Sequence, residues 1–137
     1  MKNILIAFDG SEPANKAIDV GIDLAHHYQA EVQVLTVAQV PEIGSDVETE
    51  AIIEYARNRH ATLLHDLRRR LGQTVPHLRM ELAVGHPVRQ ILDHAEHQNI
   101  DLIVLGHSGQ GALDRWRLGS VTHRVISYAH CAVMVIR

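Results

Sequence analysis

The sequence contains a single cysteine, Cys131, among its 137 residues. One cysteine cannot form an internal disulfide, and such sparing use is typical of proteins from a reducing compartment. Cys131 stands just before a short apolar run, which favours a small buried thiol over a reactive one.

Long apolar runs and an excess of positive charge are also missing. No apolar stretch approaches the roughly 20 residues of a membrane-spanning helix, and the N-terminus leads directly into Ile4-Leu5-Ile6 rather than into a signal peptide. We therefore expect a cytoplasmic protein without membrane insertion. The formal net charge of −3 argues against nucleic acid as a partner, and Arg68-Arg69-Arg70 is interpreted as the solvated face of a helix.

Common catalytic and metal-binding patterns are absent as well. The sequence has no Gly-Lys-Ser or Gly-Lys-Thr, so rapid nucleotide hydrolysis of the P-loop type is not indicated. Ser108 lacks the Gly-x-Ser-x-Gly frame of a nucleophile elbow. The eleven histidines form no His-Glu-x-x-His pattern and no cluster with cysteine, which favours solvated histidines over a metal site.

The residues that are present predict one ordered domain over 1–137, because 46% of them are apolar and no linker or repeat interrupts the chain. Segments of strand-like and helix-like pattern alternate. Strands are predicted at Asn3 to Phe8, Glu31 to Val37, Leu78 to Val84, Asp101 to Leu105 and Ala132 to Ile136. Helices are predicted between them, the first capped by Ser11 and the second ended by Gly72, while Gln39 to Val47 is interpreted as a loop.

Five strands separated by helices predict a doubly wound α/β fold, with a parallel sheet covered by helices on both faces. The first and fourth strands are the most apolar and are expected in the middle, whereas the alternating third strand suits an edge. The order 3-2-1-4-5 meets both conditions. It places a topological switch point between strands 1 and 4, where the loops begin with Asp9 and Gly106 and where ligands of such folds bind.

The most informative motif runs from Gly106 to Gly109 and continues, after nine residues, with Gly119 and Ser120. Glycines at the end of a strand let the backbone turn sharply and approach a ligand closely. Amides at the start of the following helix favour a phosphate group. The motif therefore predicts a phosphate site, with ordinary turn glycines as the alternative.

Polar side chains near the switch point are candidates for ligand contacts. Asp9 could accept hydrogen bonds from a ribose hydroxyl or an adenine amine, or it could serve the turn before the first helix. Ser120 could meet a phosphate or cap the final helix. Arg115 and Arg117 could reach phosphate oxygens, although exposed loop arginines explain them equally well, and Asp114 is the only carboxylate between the two halves of the motif.

These residues resemble the universal stress protein family over essentially the whole chain. Ile4 to Ser11 resembles the family's first strand and turn, Gly85-His86-Pro87 its third turn, and Cys131 to Arg137 its terminal strand. Gly106 to Val121 is similar to the G-x2-G-x9-G-(S/T) signature of the members that bind ATP. The resemblance is weakest from Gln39 to Val75.

The resemblance implies an ATP site without catalytic residues, in which a Mg or Mn ion is held mainly by the nucleotide phosphates rather than by the protein. Asp9 would meet adenine or ribose, and Val37 would pack on the adenine. The implied nucleotide-binding residues are Ala7, Asp9, Val37, Gly106, His107, Ser108, Gly109, Gly119, Ser120 and Val121. Ala7 stands where the family often has proline, and the order Gly-His-Ser-Gly reverses the more frequent Ser-His order.

The resemblance also implies a homodimer through strand 132–136, whose apolar edge needs a partner. We expect a nucleotide-dependent stress-response regulator or chaperone-like factor with an unidentified protein partner. Turnover of ATP is expected to be slow or absent, because no general base or metal-holding carboxylate is evident near the phosphates. The alternatives are an adenine-nucleotide hydrolase or transferase on a related fold, or a nucleotide-free dimeric interaction protein; the ligand could also be AMP or a signalling nucleotide with the same adenosine half.

Overall fold

The computed structural model describes residues 1–40, 47–75, 77–109 and 117–137. Strands and helices alternate along these ranges as predicted. Their bounds are β1 Asn3–Ala7, α1 Glu12–Tyr28, β2 Glu31–Ala38, α2 Val47–Leu71, β3 Arg79–Val84, α3 Pro87–His97, β4 Leu102–Gly106, α4 Ser120–Tyr128 and β5 Ala132–Ile136. Most of the predicted loop from Gln39 to Val47 lies outside the described residues. None of the helices described here is long and apolar enough to cross a membrane.

The described strands form one parallel sheet in the order β3-β2-β1-β4-β5, which confirms the predicted topology. In the central strand β1, Ile6 pairs with Val34 of β2 and with Val104 of β4. The chain proceeds outward from β1 to one edge and then returns to β4 on the other side. The switch point therefore falls between β1 and β4.

Side chains of the central strands alternate between two hydrophobic clusters. Ile4 and Ile6 belong to a cluster with Ile18 of α1, whereas Leu5 belongs to a cluster with Ile91 of α3. A strand that is buried on both faces needs apolar side chains at every position, which explains the uninterrupted apolar runs of β1 and β4. Helices α1 and α2 thus cover one face of the sheet, and α3 and α4 cover the other.

The two edges of the sheet are β3 and β5. In β3 the exposed Arg79 and Glu81 alternate with the half-buried Met80 and Leu82, as predicted for an edge strand. Met80 packs against the cluster of Ile4 and Ile6, and Ala83 against that of Leu5. The alternation of exposed and half-buried residues is therefore confined to 79–82.

Two of the predicted helix ends follow local sequence signals. The Ser11 hydroxyl accepts a hydrogen bond from the Ala14 N–H at 3.3 Å and caps α1, as predicted. Gly72 follows the last residue of α2 with φ of +57°, a left-handed conformation that glycine adopts without strain. At α4 the N-cap is Gly119 and Ser120 is the first helical residue, so the alternative role of Ser120 as a cap is wrong.

Candidate functional site

The carboxyl ends of the central strands open into a cavity of about 680 Å³. Its lining comes from both sides of the sheet, since it includes Ala14 of α1 and Ile91 of α3 as well as Ala7, Val37 and Leu105 of three neighbouring strands. The two helical layers separate at this point. The cavity therefore occupies the switch point that the topology predicts.

All of the predicted nucleotide-binding residues except His107 line this cavity. They are Ala7, Asp9, Val37, Gly106, Ser108, Gly109, Gly119, Ser120 and Val121. Chain segments that are separated by more than a hundred residues in the sequence therefore converge on one crevice.

Two glycines of the motif stand where a Cβ atom would come too close to its neighbours. A Cβ atom on Gly106 would lie 2.6 Å from the Pro13 Cβ and 2.9 Å from the Pro13 carbonyl carbon. A Cβ atom on Gly109 would lie 2.8 Å from the Asp9 Oδ2. All of these distances are shorter than van der Waals contact. At Gly106 the neighbour includes the backbone of α1, so the loop needs glycine there for its own packing as well as for the approach of a ligand. The sequence had indicated glycine only for a sharp turn and for a ligand.

Hydrogen bonds close the loop onto the start of α4. The Gly119 N–H donates to the His107 carbonyl at 2.7 Å. The buried Thr122 hydroxyl donates to the Gly106 carbonyl at 2.8 Å. These bonds hold the first turn of α4 at the cavity, where Ser120 is part of the lining. Amides in the first turn of a helix have no intrahelical acceptor and carry a partial positive charge, which favours an anion.

His107 is the predicted site residue that the structure sets apart from the others. It does not line the cavity, and only 8% of its surface is exposed. Its backbone N–H donates to the Ile136 carbonyl of β5 at 2.8 Å, and its ring Nε2 lies 3.2 Å from the Ser108 Oγ. His107 thus ties the loop to the end of β5, and its contact with ribose or phosphate stays a prediction.

The Asp9 carboxylate serves the turn before α1. It also faces the loop from Gly106 to Gly109, which we call the glycine loop. Its Oδ1 accepts a hydrogen bond from the Ser11 N–H at 2.9 Å, which confirms its role in the turn. Its Oδ2 is the atom that a Cβ on Gly109 would touch. Because Asp9 also lines the cavity, a hydroxyl or amine of a ligand could donate to it.

Helix α2 forms a wall of the cavity that the sequence argument missed. Ile52, Tyr55, Ala56, Arg59 and His60 all line it. Their spacing of three or four residues places them on one helical face, so the periodicity contains a signal. Further lining residues that were not assigned a ligand contact are Phe8, Ala14, Leu35, Gln39, Pro87, Ile91, Leu105 and Thr122.

Within α2, His60 is held by a buried residue of the sheet. Its ring Nδ1 lies 2.9 Å from the Oγ1 of Thr36, a β2 residue with no exposed surface. Burial lowers the pKa of His60, and the positive charge of Arg59 lowers it further, while the Asp9 carboxylate acts in the opposite direction. The His60 imidazole is therefore neutral at pH 7.

None of the remaining candidates belongs to the described lining of the cavity. Asp114 and Arg115 are outside the described residues, and Arg117 is exposed and does not line the cavity. Burial raises the pKa of the half-buried Cys131 thiol, as expected for an unreactive cysteine. Within the described ranges, no three His, Cys, Asp or Glu side chains are grouped closely enough to hold a metal ion.

Comparison with known proteins gives one consistent family. The family model described as the universal stress protein family matches residues 1–137. A universal stress protein from Methanocaldococcus jannaschii is 34% identical over 139 residues, which cover 99% of this chain and 82% of that protein. The solved structure of universal stress protein UspA from Lactobacillus plantarum is 31% identical and has a TM-score of 0.89. The match covers 99% of this chain and 97% of that one.

Two solved structures with the same fold contain an adenine nucleotide. A universal stress protein from Archaeoglobus fulgidus in complex with dAMP is 23% identical, with a TM-score of 0.64 over 100% of this chain and 98% of that one. A universal stress protein in complex with cAMP is 21% identical, with a TM-score of 0.65 over 99% of this chain and 96% of that one. At these identities the likeness to this chain is one of fold.

Proposed function

This chain belongs to the universal stress protein family, and we propose that its cavity binds ATP or another adenine nucleotide. The observation that carries the proposal is the convergence of Asp9, the loop from Gly106 to Gly109 and the first turn of α4 on one cavity. At about 680 Å³, the cavity has the size at which proteins bind small ligands and cofactors. The protein would act in the cytoplasm as a nucleotide-dependent stress-response regulator or chaperone-like factor.

The apolar part of the lining suits an adenine ring. Ala7, Val37 and Leu105 lie at or near the ends of three neighbouring strands, and Val121 faces the same cavity from α4. Burial of the flat faces of a purine against such side chains is favourable, because it removes apolar surface from water. Asp9, in the same lining, would accept a hydrogen bond from a ribose hydroxyl or the adenine amine.

The phosphates would lie against the glycine loop and the start of α4. Gly109 and Gly119 present backbone without side chains, and Ser120 adds a hydroxyl and the positive end of the helix dipole. Asp9 is the only carboxylate in the described lining, and its Oδ1 is engaged by the Ser11 N–H. We therefore propose that Mg or Mn is held mainly by phosphate oxygens and that ATP turnover is slow or absent.

The choice of ligand class has separate support. Two universal stress proteins of this fold bind dAMP and cAMP, which supports an adenine nucleotide. The spacing of Gly106, Gly109 and Gly119 resembles that of the members that bind ATP, which supports a triphosphate.

We also propose that the protein forms a homodimer through β5 and controls a further protein partner through its nucleotide state. β5 is an edge of the sheet, and Val133 to Ile136 are only half-buried in the single chain. An apolar edge strand presents peptide groups that can pair with another strand. A second copy of this chain would offer an identical edge.

Calorimetric titration of ATP with Mg²⁺ into the wild type and Gly109→Val tests the nucleotide site. A Cβ at Gly109 would meet the Asp9 carboxylate. Valine therefore disturbs two predicted contacts, that of the Gly109 backbone with phosphate and that of Asp9 with adenine or ribose. We expect micromolar binding by the wild type and a loss of at least about tenfold in the variant.

Gly72→Asn is the matched control for this titration. Gly72 has a positive φ that asparagine tolerates, and no atom lies within 4 Å of its Cβ position. The control should bind as the wild type does. Folded wild-type protein that releases no heat with ATP and gains no thermal stability from it would overturn the proposal.

A further inference from the structure

The α2 wall places basic side chains in a cavity whose proposed ligand is anionic. Arg59 and His60 are neighbours in the sequence, and both line the cavity. In the described lining, all basic side chains come from α2, while Asp9 is the acidic one. The glycine loop, by contrast, offers only backbone dipoles and a serine hydroxyl. In the described lining, α2 is therefore the wall that supplies a guanidinium group.

One cavity joins α2 to the glycine loop. Arg59 and His60 line it together with Asp9 and Gly109. The Asp9 Oδ2 lies beside Gly109, at 2.8 Å from the position of a Cβ atom there. Arginine has a long side chain that ends in a planar fork of donors. A phosphate bound at Gly109 would therefore share the cavity with the Arg59 guanidinium.

Thr36 fixes the direction of the His60 ring. Its Oγ1 lies 2.9 Å from the His60 Nδ1, and Thr36 is fully buried in β2. The other ring nitrogen, Nε2, lies on the opposite side of the imidazole from this contact. Because His60 lines the cavity, Nε2 is the nitrogen that it can offer to a ligand. When the Thr36 hydroxyl donates to Nδ1, the proton of the neutral ring is on Nε2.

We propose that α2 supplies a second phosphate-binding wall, in which Arg59 contacts phosphate oxygens and His60, positioned by Thr36, donates a hydrogen bond from Nε2. This inference rests on the proposed function and adds a determinant of specificity to it. The glycine loop offers neutral amides to any phosphate, whereas Arg59 adds a charged, forked donor that suits several phosphate oxygens. The site thereby selects nucleotides with a di- or triphosphate tail over adenosine.

The test compares the affinity for ATP with the affinity for adenosine, which has no phosphate. Arg59→Gln removes the charge but keeps a long polar side chain. It should raise the Kd for ATP about tenfold, as for the loss of a charged hydrogen bond, and leave the Kd for adenosine unchanged. Arg57→Gln is the matched control, because Arg57 lies on the same helix, is exposed and does not line the cavity.

His60 needs a variant that spares the buried hydroxyl of Thr36. An asparagine amide lies close to where the Nδ1 of histidine lies, so His60→Asn keeps a partner for Thr36 and removes Nε2. We expect ATP binding to weaken by about threefold to tenfold, with adenosine binding unchanged. His65→Asn is the control, since His65 is exposed on α2 and does not line the cavity.

The outcomes separate this inference from the proposed function. If the wild type binds neither ATP nor adenosine, the proposed function fails and the inference fails with it. If the wild type binds ATP but Arg59→Gln and His60→Asn behave as their controls do, only the inference is overturned. Equal losses of ATP and adenosine affinity would also overturn it, because α2 would then shape the cavity without contacting phosphate.

Discussion

His60 is held by a hydrogen bond and has a lowered pKa. Its Nδ1 is bonded to the buried Thr36, and its pKa is lowered first by burial and then by Arg59, against the opposing effect of Asp9. A histidine in this position stays neutral in the folded protein at pH values where the unfolded chain already takes up a proton. Stability must therefore depend on pH through this residue.

We predict that the free energy of unfolding falls as the pH drops below about 6.5, the ordinary pKa of histidine. Because the folded pKa of His60 is lowered, its contribution is fully retained above that value and is lost as the pH falls through the folded pKa. Denaturant unfolding between pH 7 and 5 should show a shallower decline for His60→Asn than for the wild type. His65→Asn should follow the wild type, and equal slopes for His60→Asn and the wild type would refute the assignment.

At the scale of elements, the glycine loop is packed against the start of α1 more tightly than a ligand site alone would require. The position of a Cβ on Gly106 is 2.6 Å from the Pro13 Cβ and 3.0 Å from the Ala14 nitrogen. A side chain here would force the backbone of α1 away from β4. The glycine loop and the start of α1 are thus closely packed against each other at the cavity.

Gly106→Ala should therefore lower the free energy of unfolding by about 1–3 kcal/mol, the usual cost of overpacking. Gly21→Ala is the comparison, because its Cβ would meet the Ile6 Cδ1 at 2.5 Å and Cγ1 at 2.9 Å, which are side-chain rather than backbone atoms. Alanine inside a helix also gains about 1 kcal/mol over glycine, so we expect a smaller loss. Urea unfolding measures the free energy of unfolding of both variants. A loss for Gly21→Ala that equals or exceeds the loss for Gly106→Ala would contradict this account of the packing.

The sequence predicts a strand or helix most directly where the element is buried on both faces. β1 and β4 are buried on both faces, so apolar runs with glycine beyond them suffice to identify both strands and their central place. The start of α2 was harder to predict, since the predicted loop ends at Val47, which is the first residue of the helix. The acidic residues of its first turn favour a helix start through the helix dipole, a signal that apolar spacing does not contain.

The candidate site was predictable only where it coincides with the switch point. Asp9 and the glycine loop follow strands 1 and 4 directly, so topology brings them together. The α2 wall depends on the angle at which a helix packs on β2, and local sequence does not set that angle. The contact between Thr36 and His60 joins residues that are 24 apart, and neither residue identifies the other in the sequence.

At the scale of the whole molecule, the two sheet edges differ in character. β3 carries the exposed charges of Arg79 and Glu81, whereas β5 is apolar from Ala132 to Ile136. Charges on an edge strand oppose pairing with another chain. β5 is therefore the edge at which a second copy is expected.

The direction of the peptide groups in β5 makes the dimer testable. The Ile136 carbonyl accepts a hydrogen bond from the His107 N–H, so the peptide groups of Ile136 face β4. Because this direction alternates along a strand, those of Met134 face β4 as well and those of Val135 face the open edge. Val135→Pro should turn a dimer into a folded monomer, since proline removes an outward donor, whereas Met134→Pro should destabilise the fold.

Size-exclusion chromatography with light scattering measures the oligomeric state of the wild type and Val135→Pro, and urea unfolding measures the loss of stability in Met134→Pro. A wild type that is monomeric at micromolar concentration would contradict the proposed dimer. A Val135→Pro variant that stays dimeric would show that the copies associate through another surface.

The most direct test of a nucleotide site in this cavity is an amide NMR titration of the wild type with ATP and Mg²⁺. We predict that the largest shift changes occur at the amides of Gly109, Gly119 and Ser120, which line the cavity at its proposed phosphate end. Changes confined to another place, such as the smaller cavity lined by Leu92 and Cys131, would contradict the assignment. So would an unchanged spectrum of the folded protein at saturating ATP.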